Sequence, residues 1–429
     1  MEQVYSFIPD ASLRRGLTLT DIAPLILSYY AHAVLAMLPG TYWFRVALLP
    51  LTEWLVWNAA VTFDFSKYLA GTLGLENPLR ISFLDMVFDV SVHPRALISL
   101  TDGKAQLALW AIGLRCIEWT LLINKPLRRY EMPIEKKSRE ERPLTVSNVL
   151  VDAIDLLFNF RGLGWAWSSE PFYVDPNPPR SIPHQFFKLF VKIASLDAAH
   201  YVVQLVRPTA YRPEGDTIYD YTLDPLPHFL QVLTISVCGM VLIYSSVDIM
   251  YQLLALIGQL VFGQSLAQWP RIANRPWLAE SVTEFWGKRW HQFFRHFFVV
   301  YGSRPGKKVA GWYGSVMGAY LVSAHMHLVM IWGLGRGPEL LHTAGFFVML
   351  GVGTIFEKKW KEWTGKPVVG PFGSLWTTFW HLMWGSGMVD AFVRRGIVAN
   401  DFVPKQMRVG KAMVDVVLAV VASVRPTNS

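Results

Sequence analysis

The chain has 429 residues, 52% of them apolar, 14% aromatic and only 17% charged, with a net charge of +8. Soluble proteins carry about 25% charged residues, and here Leu, Ile, Val and Phe gather in runs approaching the ~20 residues that cross a bilayer core. That excludes a string of soluble domains and predicts an all-α, polytopic protein forming a single membrane-embedded domain over 1–429.

In chain order, Met1 to Gly16 carries Glu2 and Asp10 before the first apolar run, and no small-residue cleavage site follows, so a retained first span is expected. That span, Ile22 to Leu38, stops at Pro39-Gly40. Trp43 to Val61 is a second, with Tyr42, Trp43, Trp54 and Trp57 as interface anchors. Residues 62–105 mix charge, Gly and Pro and read as an extramembrane excursion. Gln106 to Ile123 is a third span, whose Arg115 and Glu118 stand three apart and can pair on one helix face. The most charged stretch, Asn124 to Arg142, reads as a cytosolic loop over 124–145.

Val146 to Phe160 has helical apolar spacing broken by Asp152 and Asp155, as in an amphipathic helix at the membrane interface. It leads into Phe160-Arg-Gly-Leu-Gly-Trp-Ala-Trp167, a glycine turn between aromatics, and then a Pro-rich loop over 170–183. Phe186 to Val206 is apolar but holds Lys188, Lys192, Asp197 and His200. A central charge costs about 3 kcal/mol on insertion scales while each Leu or Phe returns only about 0.5, so this segment needs neighbouring helices to insert. After a polar loop at 207–227, His228 to Gly263 reads as two closely spaced spans or one strongly tilted helix.

Residues 264–311, with Arg304-Pro-Gly-Lys-Lys308, count as cytosolic by charge. Trp312 to Gly333, Leu340 to Phe356 and Phe372 to Val393 are further spans, with a basic loop at Lys358 to Lys366. Met413 to Val424 is a short, partial one. The sum is eight to ten transmembrane helices plus interfacial amphipathic helices. No internal repeat is evident, which counts against a transporter built from duplicated halves.

The two cysteines, Cys116 and Cys238, lie inside apolar runs and support neither a disulfide framework nor a Cys-based zinc site; no metal is expected. The clustered Lys and Arg suit orientation in the bilayer and an anionic ligand, and without a recognised motif they do not point to nucleic acid. Gly302 to Lys308 lacks the spacing of a phosphate-binding loop, and neither HExxH nor a Gly-x-Ser-x-Gly elbow is present.

Histidine remains, in two clusters. Ser323-Ala-His-Met-His327 lies within the Trp312–Gly333 span. Imidazoles two residues apart on a helix point about 200° apart, so only one faces a given cavity. A satisfied core histidine is the bland reading, but an ionisable group at membrane depth is a functional hypothesis by default. Ser323 and Ala324 leave room for a ligand, although Ser323 also suits helix packing. The second cluster is Ser281 to Phe298, around Glu284-Phe-Trp-Gly-Lys-Arg-Trp-His291. As a helix it would put Trp286 and Trp290 on one face and His291 and Arg295 on another. An interfacial helix with aromatic anchors explains the Trp and Phe, but not Gly287, since Gly costs roughly 1 kcal/mol in a helix.

Glu284 to Arg295, followed by Tyr320-Leu-Val-Ser-Ala-His-Met-His327, resembles the wax synthase-like branch of the membrane-bound O-acyltransferase superfamily, with its FWGxRW core and a later VSGxxH-type span. Arg161-Gly-Leu-Gly-Trp165 resembles the RGxGW turn of fungal terpenoid and meroterpenoid acetyltransferases in that branch. The likeness runs from about residue 20 to 400, with its sharp motifs within 160–330. It implies His327 as catalytic histidine, because His327 and not His325 closes the VSxxxH pattern. Ala324 stands for the usual Gly, and His291 where many members have a second catalytic residue, Asn.

The resemblance implies acetyl transfer from acetyl-CoA, with no permanently bound cofactor, to a hydroxyl of a hydrophobic terpenoid or meroterpenoid alcohol at the endoplasmic reticulum membrane. His327 would act as the base and His291 as a hydrogen-bond donor to the oxyanion. Lys288, Arg289, Arg295, Arg304, Lys307 and Lys308 would contact CoA, and Trp286, Trp290, Ser323 and His325 complete the expected binding set. The nearer alternative is a wax-ester synthase using long-chain acyl-CoA; the farther one, resting on Asp248 and the intramembrane histidines alone, is a channel or transporter.

Overall fold

A computed structural model describes residues 13–65, 94–122, 144–165, 167, 181–212, 214–334, 337, 339–399, 403 and 407–424. The basic loop at 124–142, most of the Pro-rich loop and residues 66–93 of the expected excursion lie outside them. The helices are α1 (Leu19–Met37), α2 (Tyr42–Thr62), α3 (Pro94–Leu121), α4 (Val146–Phe158), α5 (Ile182–Val206), α6 (Pro225–Phe262), α7 (Arg304–Gly333), α8 (Leu340–Thr364), α9 (Gly370–Val393) and α10 (Val409–Val424). Strands β1 (Arg15–Gly16) and β2 (Phe63–Asp64) form one short parallel pair. Among the described residues, five helical stretches are long and apolar enough to cross a membrane: α1, α5, α6, Arg295–Gly333 and α8. The expected eight to ten spans are therefore not reached on that criterion. Helices α2, α3 and α9 form where spans were expected, but Arg45 and Glu53 in α2, and Lys104, Arg115 and Glu118 in α3, dilute their apolar character.

The chain divides into two compact units. The first comprises Met1–Leu69, Thr101–Val174 and Gln292–Pro338; the second comprises Ala70–Leu100, Asp175–His291 and Glu339–Ser429.

In the first unit, α1, α3 and α4 share a core of Tyr29, Ala33, Met37, Cys116, Trp119, Leu156 and Trp165, in which Tyr29 stacks on Trp119 with ring centroids 5.2 Å apart. Several polar side chains inside have partners. Buried His32 bonds to Thr52 Oγ1 at 3.1 Å, and Arg45 donates to the carbonyls of Trp119 and Leu122. The Arg115–Glu118 pair forms at 2.8 Å, as the spacing predicts. Helix α3 begins at Pro94, well before Gln106, and so takes in part of the expected excursion.

The largest departure from the sequence reading is at 295–333. Residues 264–311 are not all loop. A helical turn Arg295–Phe297 and a π-helical stretch Phe298–Ser303 run directly into α7. Helix α7 is itself broken at Ala310 (φ −136°, ψ 31°) and Gly311 (φ 57°, ψ −138°), where the chain turns back on itself. The result is a helical hairpin. Gly302 meets Gly318 and Gly306 meets Gly314 across it, and Ser303 Oγ donates to the Ser315 carbonyl at 3.0 Å. At 1.5 Å per residue the second arm, 312–333, is about 33 Å long and can cross a ~30 Å core; the first, 295–309, is about 22 Å and cannot. Arg304, Lys307 and Lys308 thus stand exposed near the hairpin tip, on helix instead of loop.

In the second unit α6 is one continuous helix of 38 residues and not two. The charges of α5 find partners. Lys192 Nζ lies 3.2 Å from Asp248 of α6, buried Asp197 accepts from Arg408 Nε at 2.8 Å and from the Lys411 N–H at 2.8 Å, and His200 Nε2–H donates to the Val398 carbonyl at 2.8 Å. These contacts offset the insertion cost that made the segment marginal alone. Helix α8 continues to Thr364 through the expected basic loop and ends where Gly365 (φ 72°) donates its N–H to the Lys361 carbonyl at 3.0 Å. The acidic partner that this longer helix carries, Glu357, matters for the site.

Candidate active site

The segment Ser281–His291 belongs to the second unit and is not the α-helix the spacing suggested. Ser281 caps a single turn, Val282–Glu284, by accepting the Glu284 N–H at 2.9 Å; a π-turn, Phe285–Arg289, follows and closes with Trp290 N–H on the Phe285 carbonyl at 2.7 Å. Trp290 is then extended, at φ −73° and ψ 164°. Trp286 and Trp290 still neighbour each other, with ring centroids 5.9 Å apart, but each has its own setting. Trp286 stacks on His381 of α9 and donates its indole N–H to His381 Nε2 at 2.9 Å, while Trp290 stacks on Phe285. His381 donates Nδ1–H to the Thr377 carbonyl at 2.7 Å, which fixes Nε2 as the acceptor.

The basic residues of this segment divide. Lys288 is exposed. Arg289, expected to reach CoA, has its Nε on Glu284 Oε1 at 2.8 Å. Burial works against ionisation of Glu284, yet the Glu280 N–H and Arg289 hold its carboxyl below the usual carboxylate range. Gly287 has no left-handed φ, and a Cβ there would meet nothing within 4 Å. The backbone therefore does not demand glycine at 287. His291 lines a narrow recess with Tyr244, Val247, Asp248, Ile272, Ala273 and Trp290, too tight to admit a water molecule. Its expected face-mate Arg295 falls in the other unit, where Nη1 donates to Gln292 Oε1 at 2.8 Å.

The histidines of α7 lie in the first unit. Tyr320, Ser323, Ala324 and Met326 are buried, His327 is half-buried and His325 is exposed. The two imidazoles have opposite roles in their hydrogen bonds. His327 donates Nδ1–H to the Ser323 carbonyl at 2.8 Å, so Nε2 is its basic nitrogen. His325 accepts the Trp110 indole N–H on Nδ1 at 3.0 Å, so its proton sits on Nε2. Of these two, His327 is the one with Nδ1 held by the protein and Nε2 carrying the lone pair, an arrangement a general base can use. Ser323 contributes its main-chain carbonyl to this, a role its side-chain chemistry did not suggest.

Sequence reasoning missed three partners. Glu357 and His381 brace the Trp286 segment in the second unit. In the first, buried His296 donates Nε2–H to Glu118 Oε1 at 2.6 Å, while Arg115 bonds Glu118 and packs 3.9 Å from the Trp167 ring. Arg115 also donates to the Asn159 carbonyl at 3.0 Å, which ties α3 to the Arg161–Trp165 turn, whose Gly162 and Gly164 both have positive φ.

Residues 269–349, which hold both the Glu284–Arg295 and the Tyr320–His327 motifs, match the membrane bound O-acyl transferase family. The chain is 32% identical over 148 residues to the long-chain-alcohol O-fatty-acyltransferase of Simmondsia chinensis, a match covering 33% of this chain and 40% of that protein. It is 25% identical over 279 residues to the probable long-chain-alcohol O-fatty-acyltransferase 1 of Arabidopsis thaliana, covering 55% and 74%. The first match thus spans less than half of the relative's length. Both relatives are fatty-acyltransferases by name, and neither is a terpenoid acetyltransferase.

Proposed function

We propose that this integral membrane protein is an acyl-CoA-dependent O-acyltransferase that esterifies a hydrophobic alcohol, with a long-chain acyl group as donor. The observation that carries the reading is His327: within the family segment, its Nδ1–H is held by the Ser323 carbonyl and Nε2 is the basic nitrogen. Nε2 takes the proton of the alcohol as its oxygen attacks the thioester carbonyl. By its place in the Glu284–Arg295 motif, His291 is read as the hydrogen-bond donor to the oxyanion; collapse of the tetrahedral intermediate expels the CoA thiolate, which recovers the proton from the imidazolium. No acyl-enzyme forms. Exposed Lys288, Arg304, Lys307 and Lys308 supply cations for the CoA phosphates.

The relatives bear names of fatty-acyl transfer, which favours the long-chain donor over acetyl-CoA. Acetyl transfer to a terpenoid is the second reading and rests on the Arg161–Trp165 turn. Microsomes containing the protein, supplied in parallel with palmitoyl-CoA and acetyl-CoA and a panel of long-chain and terpenoid alcohols, separate the two. Ester formation from palmitoyl-CoA, reduced 10²–10⁴-fold in a folded His327→Ala variant, is the expected result. Full turnover in that variant refutes the base assignment, and ester formed only from acetyl-CoA selects the second reading.

A further inference from the structure

Glu357 stands in α8 at the head of a run of lysines, where a solvated surface carboxylate would be expected, yet only 7% of it is exposed. Its carboxylate gathers four donors. Oε1 accepts from the Val282 N–H at 2.6 Å and the Trp376 indole at 3.0 Å; Oε2 accepts from the Thr283 N–H at 3.0 Å and the Thr283 hydroxyl at 2.6 Å. Val282 and Thr283 open the turn that leads to His291, so two N–H groups that lack partners within any helical turn end on this one side chain. An ionised carboxylate is acceptor-only and takes bonds on both oxygens, whereas Gln turns an NH₂ toward one pair of these donors.

From there the links are continuous. Ser281 Oγ holds the Glu284 N–H, Glu284 holds Arg289, the Phe285 carbonyl holds the Trp290 N–H, and the Arg289 carbonyl accepts the Asn274 N–H at 2.8 Å. His381 pins Trp286 midway. His291 follows directly on the last anchored residue.

We infer that Glu357 is a positioning residue for His291, fixing the start of the Val282–Arg289 turn and thereby the place where its end presents the imidazole. A buried carboxylate is costly to hold, and Ser281 already supplies an ordinary helix cap; the second, charged cap is explained by a need for fixed geometry. The inference rests on the reading of His291 as oxyanion donor.

Two measurements on the full-length protein in detergent or microsomes test it. Hydrogen exchange followed by mass spectrometry reads the segment without requiring activity: Glu357→Gln is expected to speed exchange of peptides covering 282–291 at least tenfold and leave α1–α4 unchanged. Kinetics read the consequence: kcat is expected to fall 10–100-fold with KM for acyl-CoA within twofold, and Glu357→Gln combined with His291→Asn is expected to lose little more than the worse single variant. Glu357→Asp, which keeps the charge, should fall between and guards against a Gln variant that does not fold. Unchanged exchange at 282–291, or losses that multiply fully in the double variant, overturns the role of Glu357. An inactive wild type would instead refute the proposed activity, while the exchange result still decides whether Glu357 holds the turn.

Discussion

Gly302 and Gly318 face each other across the hairpin so closely that a Cβ on either would lie 2.3 Å from the other's carbonyl oxygen. Gly306 and Gly314 repeat the contact one turn nearer the tip. Such backbone-to-backbone approach is how small residues pack membrane helices. It places His327 on an arm whose position depends on four glycines. Gly318→Ala is expected to destabilise the protein by about 1–3 kcal/mol through overpacking, lowering the melting temperature in detergent and the rate of ester formation together. A variant that melts and turns over like the wild type would show that the arms separate easily.

Gly287 gives the opposite forecast. It sits inside FWGxRW, where an interfacial helix leaves a glycine unexplained, but its φ is ordinary and a Cβ would enter open space. Gly287→Ala is expected to keep the fold and at least half of the activity. A large loss with normal melting would mean that a ligand approaches the backbone at that position, which is measurable as a raised KM for acyl-CoA.

The loop between α5 and α6 sets an acid limit. The Thr209 hydroxyl, against the effect of burial, and then the Thr217 N–H and Arg207 hold Asp216 below its ordinary range; the Thr222 hydroxyl and N–H, with Arg207, do the same for Asp220. A carboxylate with a depressed folded pKa contributes stability that is complete above its unfolded pKa of about 3.9 and disappears as pH falls through the folded value. Melting temperature should thus be flat in this contribution from pH 5 to 8 and drop below pH 4. Arg207→Gln should shrink that acid-side drop; an unchanged profile would show that the Arg207 pairs with Asp216 and Asp220 add nothing.

What the sequence made legible was chemistry carried by residue type. His327 and His325 stood out because imidazole is rare in a span, and the Arg115–Glu118 spacing announced its own pairing. What it hid was long-range or masked by averaging. The first hairpin arm holds Arg304, Pro305, Lys307 and Lys308 between glycines, so a hydropathy window reads loop, although π-helical and α-helical turns run through it. Glu357 was hidden because it begins a run of charges, and such runs are usually solvated. His296 was hidden because its partner Glu118 lies 178 residues away. The π-turn at Phe285–Arg289 escaped because i, i+4 spacing assumes a continuous α-helix, whereas here the turn ends at Arg289 and Trp290 is extended.

Glu118 carries the last prediction, because it joins three pieces that the sequence presented separately. It binds Arg115 at 2.8 Å and His296 at 2.6 Å, and Arg115 reaches on to the Asn159 carbonyl and the Trp167 ring. The α3 helix, the glycine turn at 161–165 and the base of the hairpin therefore share one buried network. Removing a single member leaves the others desolvated and unpaired, which typically costs about 3–5 kcal/mol. Glu118→Ala is expected to lower the yield of monodisperse protein and its melting temperature sharply, whereas Glu118→Gln, which can still accept from one partner, should lose less. His296→Phe removes the imidazole donor but keeps a ring against Trp167, so it should rank between Glu118→Gln and the wild type. If Glu118→Ala melts like the wild type, water reaches this network, and the hairpin base is held by the packing of Phe294, Phe297 and Met326 against Ala111 alone.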